Sequence, residues 1–195
     1  GSIYQGKSLL NFGDFAASSL HSTKILNSGE GGICVSNKPL IQSRINRLRF
    51  FGFDEKKDIV DFGTNGKMTE IHAALGLANL KYFDEVLIDR KEKYKFYKSK
   101  LLPLSVFKFQ KIEYECCNCS YFPIICESTL LADKVLNDLN SQSVFPRRYF
   151  RPSLNTISKL VPYSQCPVSE SISERILCLP LYKDLTINQI SAIIK

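Results

Sequence analysis

Apolar and polar residues in the first part of the chain recur with two different spacings. Residues 33–36 form a short apolar run of strand length, and residues 39–51 carry apolar side chains at every third or fourth position. These patterns predict a strand followed by an amphipathic helix, with Pro39 in its first turn and Gly52 just past its end. The inward-facing positions predicted for this helix are Leu40, Ile41, Ile45 and Leu48.

A longer helical pattern follows a predicted loop over residues 53–66 and runs from Thr69 to Leu101. A bend is predicted near residues 82–84. In the first half of this helix, apolar residues lie on nearly every side, which predicts burial against a domain or a subunit. These apolar residues are Ile71, Ala74, Leu75, Ala78 and Leu80.

The remainder of the chain alternates between short strand and helix patterns. Pro103 marks the boundary, so the chain is divided into residues 1–101 and residues 102–195. Thr186 suits the N-cap of the last predicted helix. The predicted strands cover 106–110, 120–126 and 144–150, and the predicted helices cover 129–139, 169–177 and 186–194. The apolar face predicted for the first of these helices comprises Leu130, Leu131, Val135, Leu136 and Leu139. The second part is therefore expected to be a small α+β domain.

Composition is typical of a globular protein, with 195 residues, 44% hydrophobic and 23% charged. No apolar stretch approaches the roughly 20 residues that a membrane span needs. No signal-peptide pattern is visible at the start. We therefore expect a cytoplasmic protein with no membrane partner.

A formal net charge of +7 suggests an acidic partner. Lysines alternate with aromatic residues over 91–100, and arginines surround Tyr149 and Phe150, as in some nucleic-acid-binding proteins. The first run also has helical spacing, which places its lysines on a solvated face. Phosphorylated small molecules are anions as well, so nucleic acid is the less favoured partner.

Seven cysteines are present, and Cys116, Cys117 and Cys119 are crowded together. Zinc sites usually require two well-spaced pairs, and no matching pair of cysteine or histidine follows this cluster. Reduced thiols in a cytosolic protein are the favoured interpretation, with metal binding as the weaker alternative.

Lys24 lies in an unusual setting for a lysine. Small and hydroxylated residues surround it, His21 stands three positions upstream, and the glycine-rich run 29–32 follows. A lysine ammonium has a pKa of roughly 10.4 in water, so it is a poor nucleophile until its surroundings free the lone pair. This setting is typical of a shielded lysine that forms Schiff bases, although most lysines are only solvated side chains.

Three blocks of sequence carry a resemblance to a known family. They are residues 19–24 with 28–32, preceded by Gly13-Asp14, then residues 63–77, and finally residues 173–182. In this order they resemble the DegT/DnrJ/StrS family of nucleotide-sugar aminotransferases. The resemblance implies a fold-type-I enzyme that depends on pyridoxal 5′-phosphate (PLP). It also implies an α/β fold, in which residues 1–101 form part of the large domain with a long bridging helix and residues 102–195 form the small C-terminal domain.

The resemblance also implies residue roles. Lys24 would condense with the aldehyde of PLP and then move protons as the mobile base. Ser19 would hold the cofactor phosphate, and Asn65 would reach the phosphate of the neighbouring subunit's cofactor in a homodimer. Sugar dehydratases of the family carry histidine at the lysine position, so Lys24 favours transamination from glutamate to a nucleotide sugar.

Residues 145–150 and 152–155 are similar to the subgroup that acts on dTDP-4-keto-6-deoxyhexoses, although Asn155 stands where many relatives have a histidine facing the sugar. The upstream aspartate, the phosphate-binding loop and the stacking aromatic residue of the family have no counterpart in this sequence. The chain therefore resembles the C-terminal half of such an enzyme. Weak or no transaminase activity is expected of it alone, and a catalytically incompetent dimerising module is the alternative.

Overall fold

The computed structural model describes residues 1–113 and 116–195. Their backbone contacts form two compact units, the first comprising residues 1–87 and 116–118, and the second comprising residues 88–113 and 119–195. The division falls inside a long helix. The domain boundary that the sequence suggests, after residue 101, stays a prediction.

Two antiparallel strand pairs open the first unit. Strands β1 (Ile3–Tyr4) and β2 (Lys7–Ser8) form a hairpin, and β3 (Ala16–Ser19) pairs with β4 (Gly32–Val35). A single 3-10 turn over Leu9–Asn11 lies between the two pairs. The strand predicted over 33–36 is confirmed, displaced by one residue.

Helix α1 covers Pro39–Leu48 and has proline in its first turn, as predicted. It ends earlier than expected, because Phe51 and Gly52 have left-handed φ angles of 56° and 79° that no helix continues. The prediction that Leu40 faces inward is wrong, since it is 86% exposed. Consecutive helical residues point about 100° apart. Leu40 therefore lies off the half-buried stripe formed by Ile41, Ile45 and Leu48.

The long helical pattern forms two helices, α2 (Glu70–Leu80) and α3 (Phe83–Leu101), so an interruption lies near the predicted bend. Thr69 caps α2 by accepting a hydrogen bond from the backbone N–H of His72 at 3.3 Å. Ile71 is 80% exposed in the single chain. Burial of this apolar face against a second chain stays a prediction.

The second unit is built on a three-stranded antiparallel sheet. Strand β6 (Phe122–Cys126) lies between β5 (Phe107–Phe109) and β7 (Ile176–Leu179). The helices of this unit beyond α3 are α4 (Thr129–Ser141), α5 (Pro167–Ser173) and α6 (Ile187–Ile194), with 3-10 turns over Leu102–Leu104 and Leu154–Thr156. The predicted cap is confirmed, since Thr186 forms a capping box with Gln189.

The third predicted strand is wrong. Residues 144–150 contribute only one bridge, in which Arg147 and Cys178 exchange backbone hydrogen bonds of 3.0 and 2.7 Å. Pro146 has no N–H to extend the pairing. The third strand is instead β7, and its first two residues, Ile176 and Leu177, lie in the helix predicted over 169–177, which in the structure ends at Ser173. Short apolar runs fit either element, and here the run lies beside β6.

The core of the second unit lies where α3 packs on the sheet. Phe122, from the central strand, is fully buried against two tyrosines of α3. Its ring is 4.7 Å from the ring of Tyr97 in a stacked arrangement and 4.7 Å from that of Tyr94 edge to face. Leu130, which the sequence placed on the apolar face of α4, is 81% exposed, so that prediction is wrong. It lies in the first turn of α4, while Ala132 and Leu139 take the buried positions.

Candidate functional site

Lys24 lies in the loop that joins β3 to β4, here called the lysine loop (residues 20–31). Hydrogen bonds close its base, because Leu20 N–H donates to the carbonyl of Gly31 at 2.9 Å and accepts from Ser28 N–H at 2.9 Å. Strand register places Ser19 opposite Gly32 at the same end. The β3–β4 pairing therefore holds Ser19 and the loop with Lys24 in one segment of structure.

A tight turn presents Lys24. Its backbone N–H donates to the carbonyl of His21 at 2.9 Å, and its own carbonyl accepts from the side chain of Asn27 at 3.3 Å. The sequence predicts a shielded lysine, but Lys24 is exposed in the single chain. The reason is local, since the turn directs this residue outward at the tip of the loop. Among the described residues, the amine of Lys24 forms no ion pair or hydrogen bond.

Helix α2 supports the lysine loop from one side. The side chain of Asn79 donates to the carbonyl of Asn27 at 2.9 Å. A Cβ on Gly76 would lie 3.2 Å from that of Ser28, so only a residue without a side chain allows this approach without displacement. Ser28 is fully buried and donates to the carbonyl of Glu30 at 2.7 Å. Gly76, which belongs to the block 63–77, and Asn79 just beyond it thus support the lysine loop.

Asn65 lies on a separate segment of the first unit, the Asn65 arm (residues 63–66). The arm is attached to the end of α1, because Thr64 N–H donates to Leu48 and Gly66 N–H donates to Arg49, both at 2.8 Å. The Asn65 side chain is exposed. Within residues 1–113 and 116–195, no hydrogen bond or ion pair joins Asn65 to the lysine loop. Its predicted reach across a dimer interface stays a prediction.

The lysine loop fits the chemical demands of PLP. An aldehyde requires an amine that is not held in an ion pair, and Lys24 provides one. A phosphate requires hydrogen-bond donors. Ser19 Oγ accepts from the N–H of His21 at 3.2 Å, which leaves the hydroxyl hydrogen of Ser19 available to donate. The Thr23 hydroxyl is also exposed, but it contacts His21 Nδ1 at 2.9 Å.

One contact in this loop was missed from the sequence. His21 lies 3.6 Å from Glu30 across the loop, from Nε2 to Oε1, and its Nδ1 contacts Thr23. The only available signal was that His21 and Glu30 flank the lysine in the same block. Their meeting depends on loop closure, which spacing alone does not predict.

The second unit contains another polar network that sequence reasoning missed. Asn155 donates to Glu170 at 2.6 Å and to the carbonyl of Ser164 at 2.7 Å, and accepts from Ser153 at 2.5 Å. Glu170 also accepts from the N–H of Cys166 at 2.9 Å. This N–H and then the Asn155 amide lower the pKa of Glu170. Both ends of the Asn155 amide are thus engaged inside the unit.

The described part of the chain contains neither a metal-binding cluster nor a membrane-spanning helix. In residues 1–113 and 116–195, no group of three or more histidine, cysteine, aspartate or glutamate side chains is arranged to hold a metal ion. Across the same residues, no helix combines the length and apolar content needed to span a membrane.

Solved structures resemble this fold closely. A putative PLP-dependent aminotransferase from Bacillus cereus matches with a TM-score of 0.89 at 29% identity, over 100% of this chain and 54% of that one. DesI, solved in the presence of its TDP-sugar product, matches with a TM-score of 0.88 at 28% identity, over 100% of this chain and 51% of that one. The chain is a mixed α/β protein with the fold of about half of an aminotransferase.

Sequence comparison then gives the family. The model of the DegT/DnrJ/EryC1/StrS aminotransferase family matches residues 1–195, so the chain belongs to this family, as predicted. The dTDP-4-amino-4,6-dideoxy-D-glucose transaminase of Shigella dysenteriae is 35% identical over 92% of this chain and 50% of its own length. GDP-perosamine synthase of Vibrio cholerae is 28% identical over 99% of this chain and 54% of its own. The chain spans about half the length of these relatives, and the family is PLP-dependent.

Proposed function

We propose that this chain is the lysine-bearing part of a PLP-dependent aminotransferase that moves an amino group from glutamate to a keto nucleotide sugar. The observation that supports this most is the lysine loop. It presents an amine without an ion pair in the same segment as the exposed hydroxyl of Ser19, in a chain that belongs to an aminotransferase family.

Each residue has a defined part in this proposal. When bound, PLP supplies the electron sink that makes amino-group exchange possible. Lys24 Nζ holds the cofactor aldehyde and, when released, takes and returns a proton at the substrate carbon. Ser19 Oγ donates to the phosphate.

The Asn65 arm is one reason to propose that the protein is a homodimer. Asn65 is exposed and is not hydrogen-bonded to the lysine loop of its own chain, in the part that the structure describes. We place its amide on the phosphate bound by a second copy, in a homodimer. The exposed apolar face of α2 supports this assembly, because Ile71 and Leu75, four residues apart on one side of the helix, are 80% and 43% exposed.

The substrate that we propose is more specific than the family assignment alone. Similarity to a dTDP-4-amino-4,6-dideoxy-D-glucose transaminase favours a dTDP-linked 4-keto-6-deoxyhexose, consumed in the cytoplasm for surface-polysaccharide precursors. The fold-type-I arrangement, with α3 as the bridging helix and a small C-terminal domain, belongs to the same proposal.

A second candidate function is a dimerising module without catalytic activity. The exposed face of α2 favours it. The two candidates differ in cofactor binding, because only the first requires Lys24 to react with PLP.

A titration with PLP separates these candidates. Exposed lysines react weakly with aldehydes, so the matched control is Lys56→Ala, which removes another exposed loop lysine. We expect the unmodified chain and Lys56→Ala to develop the same absorbance change at low PLP concentration, and Lys24→Ala to lose it. Equal absorbance in Lys24→Ala would refute the role of Lys24. A dimer on size-exclusion chromatography that ignores PLP would support the dimerising module.

A further inference from the structure

His21 contacts each part of the lysine loop that the proposed function uses. Its backbone N–H donates to Ser19 Oγ at 3.2 Å, and its carbonyl accepts from the N–H of Lys24 at 2.9 Å. Its ring contacts Thr23 through Nδ1 and faces Glu30 through Nε2. No other described residue of the loop contacts both Ser19 and Lys24.

The contacts of the ring determine where its proton lies. Nδ1 lies 3.1 Å from the backbone N–H of Thr23, which can only donate. Nδ1 must therefore be the acceptor, and the Thr23 hydroxyl at 2.9 Å donates to it as well. The hydrogen of the neutral ring is then on Nε2, the ring nitrogen that lies 3.6 Å from Glu30 Oε1.

This arrangement links the two limbs of the loop. His21 lies on the limb that leaves β3, and Glu30 lies on the limb that enters β4. Because the His21 backbone also bonds Ser19 and Lys24, a shift of the ring would move the proposed phosphate donor and the reactive amine together. We infer that His21, as the Nε2–H tautomer held by Thr23 and lying beside Glu30, is the positioning residue for Ser19 and Lys24. This inference rests on the proposed function.

The tautomer can be measured in the chain without any cofactor. The sequence contains only two histidines, His21 and His72, so a His72→Gln variant assigns the ring nitrogen resonances in an NMR spectrum. We expect the proton of His21 on Nε2, with Nδ1 at an acceptor chemical shift. A proton on Nδ1 would overturn the inference.

Variants test the positioning role. His21→Asn keeps an acceptor near the position of Nδ1, whereas His21→Ala removes it and also the link to Glu30. We expect His21→Ala to shift the amide resonances of Ser19 and Lys24 and to weaken Lys24-dependent PLP binding about tenfold, which equals about 1.4 kcal/mol. His21→Asn should recover most of both effects.

A comparison of the binding of PLP with that of pyridoxal, which lacks the phosphate, provides a readout that a general loss of stability would not change. Because Ser19 is positioned through His21, His21→Ala should reduce the advantage of PLP over pyridoxal. Unchanged amide resonances and an unchanged PLP advantage in His21→Ala would overturn the inference. If the unmodified chain showed no Lys24-dependent binding, the proposed function would fail, and the tautomer and amide resonances would still decide the positioning role.

Discussion

Replacement of Lys93 by methionine should strongly destabilise the second unit. Lys93 lies on α3, and its side chain is only 7% exposed. Its ammonium donates to Asp89 at 2.6 Å, to the carbonyl of Tyr182 at 3.1 Å and to the carbonyl of Lys183. These bonds fasten the segment after β7 to α3. Methionine has a similar length and no donor, so Lys93→Met removes all of them and leaves the space filled.

The expected loss of stability depends on the partner groups that remain after Lys93 is replaced. Removing one partner of a buried ion pair typically costs about 3–5 kcal/mol, because the other charge is left desolvated. The carboxylate of Asp89 is 27% exposed and can recover some hydration, which favours the lower end. The range for removing a buried partner already includes the hydrogen bonds that the removed group makes, here those to two carbonyls at about 1 kcal/mol each. We therefore expect the free energy of unfolding to fall by about 3 kcal/mol.

Equilibrium unfolding in urea, followed by circular dichroism, measures this change. With a slope of about 2 kcal/mol per M, the midpoint should fall by about 1.5 M. The matched control is Lys134→Met, on the exposed face of α4, which should change the free energy by less than about 0.5 kcal/mol. A loss below about 1 kcal/mol for Lys93→Met would refute the reasoning that these bonds stabilise the unit.

Three further predictions concern other parts of the chain. Gly52→Ala should lower the free energy of unfolding by about 3 kcal/mol or more in thermal unfolding, because φ of Gly52 is 79° and a Cβ would lie 1.9 Å from a backbone oxygen. The control Gly6→Ala, where φ is 72° and the surrounding space is open, should lower it by about 1 kcal/mol. Phe122→Ala should cost about 3–5 kcal/mol in urea unfolding, since the ring is fully buried between two tyrosines. The Cys166 N–H lowers the pKa of Glu170, so its stabilisation is present above the ordinary carboxyl pKa and is lost as the pH falls through the lowered value. Glu170→Gln should therefore reduce stability at neutral pH and flatten the acid limb of the stability profile; an unchanged acid limb would contradict this assignment.

Local signals in the sequence predicted those elements whose ends carry capping residues. Thr186 and Gln189 cap α6 through side chains a few residues apart, so the N-terminus of this helix could be read directly. Residues 144–150 and 176–179 could not be assigned in the same way. Residues 176–179 are a short apolar run that fits a strand or a helix, and their state depends on pairing with β6. Residues 144–150 mix apolar residues with Pro146 and two arginines, and they contribute only the bridge from Arg147 to Cys178.

The candidate site likewise contains residues that the sequence alone suggests and contacts that require the folded structure. Lys24 is a candidate because hydroxyls and glycines cluster around one lysine in a single block of sequence, and Ser19 is one through the family resemblance; both roles stay predictions. The contact between His21 and Glu30 required the closed loop, and the engagement of Asn155 by Glu170 required the fold of the second unit. Ile71 is exposed in the single chain, and its predicted burial against a second chain stays a prediction, because an apolar helix face does not reveal which chain covers it.

Reductive trapping tests the central claim most directly. The chain is incubated with PLP, borohydride is added to make the carbon–nitrogen link permanent, and peptide mapping by mass spectrometry locates the added mass. We predict that at low PLP concentration the label lies predominantly on the peptide containing Lys24. Labelling spread evenly over the exposed lysines, with Lys24 no more modified than Lys56, would contradict the account.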